Sequence, residues 1–376
     1  MVKRNLRLSS IGGPVTNQIY RILIALILVT LSAMIPSVSL GPAARADDKV
    51  IVVSTTIQAA VDSAQPGDTV HVPDGTYREN VVVTRDNITI EGSLGAILDG
   101  KVLAGDTGIK VASLDPAKRI TGFTLSGLTI QNYSRNGVLL RAVDNFRITS
   151  GTYLDNDEYG IFPIQSSGGL IDHNFVSGSN DTGIYVGQSH DIAVHQNRIF
   201  DCTIGIAVEV SSRIDLQGNT AKANTIGIVA HIIPGLGVTV TSEVNVQGNK
   251  LVANNRPNPV TDPSEILSRI PNGIGFINIG SDRVIVQDNR VTDNHSAGIV
   301  LIRLPADVTA LDPRLDPFPD DNQVRNNVVM RNGTDPDPKI APFPGADLLW
   351  DFTGSGNCWR DNVFKAAFPT VLPACP

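Results

Sequence analysis

Apolar and polar residues alternate over short stretches of this chain, and those stretches return at a fixed interval. The run "NDTGIYVGQSHDIAVHQN" (180–197) comes back as "CTIGIAVEVSSRIDLQGN" (202–219), 22 residues later. Ile184 and Val186 face one way, as do Ile192 and Val194, which is the period-2 signature of strands, and no 3.6-residue pattern competes with it. Aligning the glycine before each apolar run gives Gly137, Gly160, Gly183, Gly205 and Gly227, in steps of 23, 23, 22 and 22 residues, then Gly273 and Gly298 after an interruption. A second register is set by Asn174, Asn197, Asn219, Asn249, Asn289, Asn327 and Asn362. Five residues further on lies a mostly polar column of Ser179, Cys202, Asn224, Asn254, Asn294, Asn332 and Ala367.

Periods of this size mark a solenoid. Each one contains strand, turn, strand, turn and short strand. The expected fold is therefore all-β, a right-handed parallel β-helix of about 11 coils of 22–23 residues, stacked about 4.8 Å apart. Glycine and asparagine are expected at the corners, because Asn tolerates the left-handed conformation and its amide can bond from coil to coil. A leucine-rich repeat shares the period but wants Leu at most core positions and a helical segment per repeat. Ile and Val dominate here, so that fold is set aside.

The pattern also divides the chain. Ile22–Ile35 is an apolar run of 14 residues behind Lys3, Arg4 and Arg7, and Ala44-Arg45-Ala46 follows it. This is the plan of a signal peptide over 1–46, too short for a comfortable membrane span. The mature domain is then 47–376, exported, a monomer with no membrane span. "TTIQAAVDSA" (55–64) predicts a capped helix over the first coil, with Ile57, Ala60, Val61 and Ala64 on one face. Segments 231–243 and 256–271 interrupt the period as inserted loops, and 355–376 forms a C-terminal cap. Cys358 and Cys375 are its natural disulfide, suited to an oxidising compartment, while Cys202 fills an Asn/Ser slot as a buried thiol.

Composition narrows the partners. Residues 1–46 carry five basic residues and no acid, so the mature chain holds 25 Lys+Arg against 37 Asp+Glu, a net of −12. An acidic chain without a basic stripe in its sequence is a poor nucleic-acid binder, and it is no obvious trap for anionic polyuronates. Six scattered His and three Met argue against a metal-handling surface. "DNDE" (155–158) offers clustered oxygens to Ca²⁺, but its spacing matches no calcium loop. No cofactor or metal is expected.

The stretch "IQAAVDSAQPGDTVHVPDGTYRENVVVTRDNITIEG" (57–92) resembles the first coil of bacterial secreted β-helix proteins, among them the pectate-lyase-like superfamily and the periplasmic NosD-type proteins. "TGIYVGQS…GIAVEVS…NTIGIVAHIIPGL…IPNGIGF" is similar to a narrower group of secreted parallel β-helix repeat proteins. The resemblance implies fold and export, and no activity. Motifs of polygalacturonases and mannuronan epimerases are absent. "LIDHN" (170–174) resembles a pectate-lyase motif, yet Asp172 falls in the outward slot held by His195, Gln217, Gln247 and Gln287 in other coils.

The second and fourth residues after each corner glycine should point outward. Phe162 and Tyr185 then stack as an aromatic platform able to support a sugar ring. Glu209 and His231 fall on neighbouring coils, where a carboxylate can polarise an imidazole for acid–base work. Arg141 shares the face, about four coils from His231. The two inserted loops should wall this column. The candidate catalytic residues are Glu209 and His231, and the candidate substrate-binding residues are Arg141, Phe162 and Tyr185. The function expected is binding or processing of an extracellular or envelope polysaccharide on an outer face, as a lyase, epimerase or hydrolase if turnover occurs. The alternative is a non-catalytic envelope protein or a NosD-like periplasmic accessory.

Overall fold

Three parallel sheets of 12, 10 and 11 strands wrap one apolar interior. The computed structural model describes residues 49–101, 103, 105–263 and 265–376; the expected signal segment and its cleavage site lie outside them. In one coil, strand Thr182–Gly187 belongs to the 11-stranded sheet, His190–His195 to the 12-stranded sheet and Arg198–Phe200 to the 10-stranded sheet. We call these the glycine, middle and short sheets. Every strand pairs in parallel with its counterpart one coil on: Ile184 with Ile206, Ile192 with Ile214, Ile199 with Ala221. The alternation read from sequence thus becomes stacked apolar columns. Ile184, Val186, Ile192, Val194 and Ile199 are all buried within the core, each contributing roughly 1.5–3 kcal/mol of transfer free energy.

The corner glycines are required by close approach. A Cβ on Gly205 would sit 2.5 Å from the carbonyl oxygen of Gly227, and one on Gly160 would meet Gly183 O at 2.6 Å. At the interrupted coil Ile226 pairs with Ile274, so Gly275 and not Gly273 occupies this column. Gly273 instead closes the preceding loop at φ +84°, donating its amide to Thr225 O and Asn254 O.

The Asn register is a buried ladder. Asn197 N and Nδ2 both donate to Asn219 Oδ1 at 3.0 Å, and Asn219 Nδ2 donates to Val194 O at 2.7 Å. The same pattern continues through Asn249, Asn289, Asn327 and Asn362. These asparagines do not themselves take the left-handed conformation. The residue before each does: His173, Gln196, Asp288 and Asn326 have φ of 57°, 55°, 57° and 55°, with glycine at 218 and 248. The turn is made one residue early, which leaves the Asn amide free to point inward. A second ladder runs from Cys202 N to Asn224 Oδ1, through Asn254, Asn294 and Asn332. It ends on Asp347 Oδ1 and not at Ala367, because a further insertion after Asn332 brings Asp347 to the next rung. A third, shorter ladder was missed by the period analysis: Ser166 N donates to Ser189 Oγ and Ser189 N to Ser211 Oγ.

Helix Ile57–Ser63 lies over the first coil, with Thr56 Oγ1 accepting from Ala59 N as its cap and Ile57, Ala60 and Val61 buried. At the far end Cys358 and Cys375 are bonded. The tail does not leave the repeat: Cys358–Arg360 extends the middle sheet and Ala367–Phe368 the glycine sheet. Cys202 is free and fully buried, and burial pushes its thiol up to about 11, which leaves it a poor nucleophile. Among the described residues no helix is long and apolar enough to cross a membrane.

Replacing Asn219 by Ala strands Asn197 N–H and Val194 C=O inside a dry interior, at a cost of roughly 2–4 kcal/mol. The urea midpoint of Asn219→Ala should fall accordingly, with native-like circular dichroism below it; an unchanged midpoint would show that the ladder carries no stability.

Candidate functional site

The outer face of the glycine sheet is a second apolar layer. Each corner glycine breaks the period-2 alternation, so the residue before it faces outward as well. Ile204, Ile226 and Ile274 therefore join Ala207, Val229, Ile277 and Val300 in one buried outer cluster. Leu267 and Ile270 of the 256–271 insertion pack on it, as do Ile340 and Phe343 from an insertion after Asn332. A smaller cluster of Ile232, Leu304, Val308 and Leu315 ties the 231–243 loop to a third insertion that contains the short helix Ala306–Thr309. The loops thus cover this face instead of merely walling a groove. They had to, since Ile and Val at outward positions need burial.

Where that cover begins, the face turns polar and aromatic. Glu209 and His231 are register partners on adjacent coils. His231 Nε2 lies 3.3 Å from Glu209 Oε2. Tyr185 is one coil before Ala207, and its phenol hydrogen-bonds Glu209. Gly187 makes this possible: a Cβ there would sit 2.6 Å from Tyr185 Cε1, so the ring lies across a position that must lack a side chain. Tyr159 and Phe162 close the cluster. Ring centroids are 4.6 Å apart for Tyr159–Phe162, 4.9 Å for Tyr159–Tyr185 and 4.8 Å for Phe162–Tyr185, the last pair edge to face at 90°. Such edge contacts suit ring quadrupoles, but they do not make the flat two-ring platform expected from sequence. The Tyr159 phenol bonds Asp181, whose carboxylate also accepts from Thr182 Oγ1 at 2.8 Å.

Burial sets the protonation states. It pushes Glu209 up to about 7, opposed by the Tyr185 hydrogen bond and reinforced by Asp181. It pushes Asp181 up to about 6 and His231 down to about 4. Both phenols are driven far above their ordinary range, by burial first and then by the carboxylates beside them, so they act as donors. Burial thus pushes both members of the Glu209–His231 pair toward their uncharged forms.

Glu209 is only 6% exposed, whereas Tyr185, Phe162 and Tyr159 are half-buried. Glu209 and His231 are thus not the solvent-facing positions that the period implied, and part of the packing rests on them. Arg141 is exposed and shares their register column, four coils from His231, too far to touch the pair. Asp172 occupies the predicted slot beside His195, but it is buried. Burial raises its carboxyl, yet Arg147 at 2.9 Å and His173 Nδ1 at 2.8 Å hold it below the ordinary range, as a structural ion pair. In "DNDE", Glu158 is bound by Arg135 at 2.9 Å and Asp157 accepts from Asn180 at 2.7 Å. Among the described residues no group of three His, Cys, Asp or Glu is arranged to hold a metal. Sequence reasoning missed Tyr159 and Asp181. The break in alternation at the glycine was the signal that would have turned Tyr159 outward.

Stacked parallel coils, an internal Asn ladder and loops inserted over one face define a right-handed parallel β-helix protein. Residues 114–262 match the family described as "Right handed beta helix region". Among solved structures, the chain is similar to the A-module of the mannuronan C-5 epimerase AlgE4 of Azotobacter vinelandii, at 17% identity and TM-score 0.58, over 82% of this chain and 90% of that one. It is also similar to DFA-IIIase of Arthrobacter chlorophenolicus A6 in complex with GF2, at 14% identity and TM-score 0.58, over 85% and 84%. At these identities the likeness carries the fold alone. No curated protein matches the chain by sequence.

A carboxyl raised from 4.5 to about 7 takes up its proton more readily in the folded chain. Its contribution to stability is full below pH 4.5 and is lost as pH rises through 7, on the order of 3 kcal/mol over that interval. Glu209→Gln does not titrate. The stability difference, variant minus wild type, should therefore grow by that amount between pH 4.5 and pH 8 in urea titrations. A pH-independent difference would place Glu209 in water.

Proposed function

We propose that this is an exported protein that binds a carbohydrate chain on the outer face of the glycine sheet, at Tyr159, Phe162 and Tyr185, and processes it with Glu209 and His231. The observation that carries this reading is the Tyr185–Glu209–His231 chain of contacts beside three packed rings. Aromatic rings give a sugar its apolar footing, and a carboxyl poised near neutrality can give or take a proton at a glycosidic oxygen. Asp181 supplies a second carboxyl with a lower value, the division of labour that acid–base hydrolysis uses. The cluster gathers Glu158, Asp181 and Glu209, while Arg135 at its edge is engaged by Glu158 and Asp106. That balance favours a neutral sugar over a uronate. The likeness to a mannuronan epimerase fold agrees with work on a glycan, and the Cys358–Cys375 bond with an oxidising compartment outside the cytoplasm.

A second reading, binding without turnover, is favoured by the burial of Glu209, whose carboxyl is engaged by the Tyr185 phenol.

A panel of neutral and acidic polysaccharides, scored for both retention and new reducing ends, separates the two. Tyr185→Ala should weaken binding by about 1–3 kcal/mol, the scale of a lost aromatic anchor. Where reducing ends appear, Glu209→Gln and His231→Ala should each slow their formation about 10²-fold or more, the scale of acid–base assistance. Binding that survives Tyr185→Ala unchanged removes the site. Turnover that survives Glu209→Gln removes its chemistry.

A further inference from the structure

The short sheet presents a surface of opposite character. From Thr129–Gln131 onward its strands are three residues long and bury the middle one, as with Val176, Ile199 and Leu251. The first and third form two outer columns, exposed or half-buried except at Thr292. From Thr152 to Met330 none of these outward positions carries an acid, in a chain where Asp and Glu outnumber Lys and Arg by 37 to 30. Four carry a cation: Arg198, Lys222, Lys250 and Arg290, all exposed. Among the described residues none of the four forms an ion pair within the chain, whereas Arg119, Arg147 and Arg213 on other surfaces do, as does Arg331 with Asp293 in the turns bordering this sheet. Phe175 and Phe200 stack at 5.7 Å, and the Arg198 guanidinium lies 5.9 Å and 5.7 Å from their rings. Period analysis hid the stripe, because its cations stand far apart in sequence and meet only through stacking.

We propose that this stripe is a binding surface for a linear acidic glycan, one carrying carboxylates along its length, running parallel to the solenoid axis and distinct from the site on the glycine sheet. Three features point to that partner. Register partners Arg198, Thr220, Lys250 and Arg290 follow one another coil by coil, at about 4.8 Å per coil, a spacing on the scale of one sugar residue in an extended chain. The Phe175–Arg198–Phe200 stack offers rings for sugar faces next to a fixed cation, which free surface lysines would not. The stripe is also narrow. Asp155, Asp201 and Asp288 sit in the turns along its two borders, so a flat anionic bilayer would press on acids as well as cations. A single strand lies between them. Four cations on four successive coils, about one per 4.8 Å, match one carboxylate per sugar residue more closely than duplex DNA, with a charge every ~1.7 Å.

The test uses carboxymethylcellulose against hydroxyethylcellulose, an acidic and a neutral polymer on one backbone, in affinity electrophoresis and calorimetry at low salt. In the Tyr185→Ala background, which removes the neutral-sugar site proposed on the glycine sheet, the protein should be retained by the first and not by the second. Near 1 M salt, where the screening length falls to about 3 Å, retention should vanish. The double variant Lys222→Glu/Lys250→Glu should lose at least tenfold in affinity, and the milder Lys222→Gln/Lys250→Gln several-fold, both with native melting curves. Lys118→Gln, an exposed cation outside both sites, should bind as wild type. Equal retention by both celluloses, full affinity in the double variants, or tighter binding to single-stranded DNA or to anionic phospholipid vesicles would overturn the proposal.

Discussion

In-register stacking of coils is the constraint on which everything else rests. Once Ile184 pairs with Ile206 and Ile206 with Ile228, every position of one coil is bound to sit beside its equivalent in the next. Buried polar groups then have only each other. Asn meets this condition well, because its carbonyl accepts from the coil before while its amide donates to a backbone carbonyl and to the coil after. An interior Ser or Cys serves where a ladder begins, and Asp347 where one ends. Glycine answers a different demand in the same stack, since the Gly205 backbone approaches Gly227 too closely for any side chain.

Stacking also decides what the outside can be. A column of outward Ile and Val is tolerable only when something covers it, and the insertions at 256–271 and after Asn332 do so through Leu267, Ile270, Ile340 and Phe343. Glu209 and His231, at nominally outward positions of the same sheet, are also desolvated, and the carboxyl and imidazole are both driven toward neutrality.

Much of this was legible beforehand. Period-2 alternation with a 22-residue return led to the coils, the Asn register and the Glu209–His231 pairing, because register in a solenoid is an arithmetic matter. What escaped were effects of local geometry. Gly273 and Gly275 are both plausible corner residues in a string, and only the close approach of backbones selects the second. The glycine kink that turns Tyr159 outward breaks the alternation that made the reading possible. Burial of the outer face depends on where inserted loops fold back, and Leu267 or Phe343 carries no sequence mark of the sheet it will cover. Asp172, read as an outward position, is neutralised by Arg147 from the preceding coil, a partner 25 residues away that no local pattern announces.

The distribution of charge gives the last step. Acids and bases mix on the middle sheet and cancel in pairs such as Arg147–Asp172 and Arg213–Asp191. On the glycine sheet the acids gather with little cation and become proton carriers under cover. On the short sheet the cations stand uncovered and unpaired. Because the coil repeats, a charge placed once is easily placed again one rung on, and a mixed face is the simplest outcome when nothing selects among signs. Two faces of opposite character on one solenoid therefore point to two different surroundings. A desolvated carboxyl cluster tolerates a neutral ligand that brings no charge of its own, whereas bare lysines and arginines in register remain stable in water and gain by meeting a polyanion. A single glycan could satisfy both faces only by alternating charged and neutral stretches.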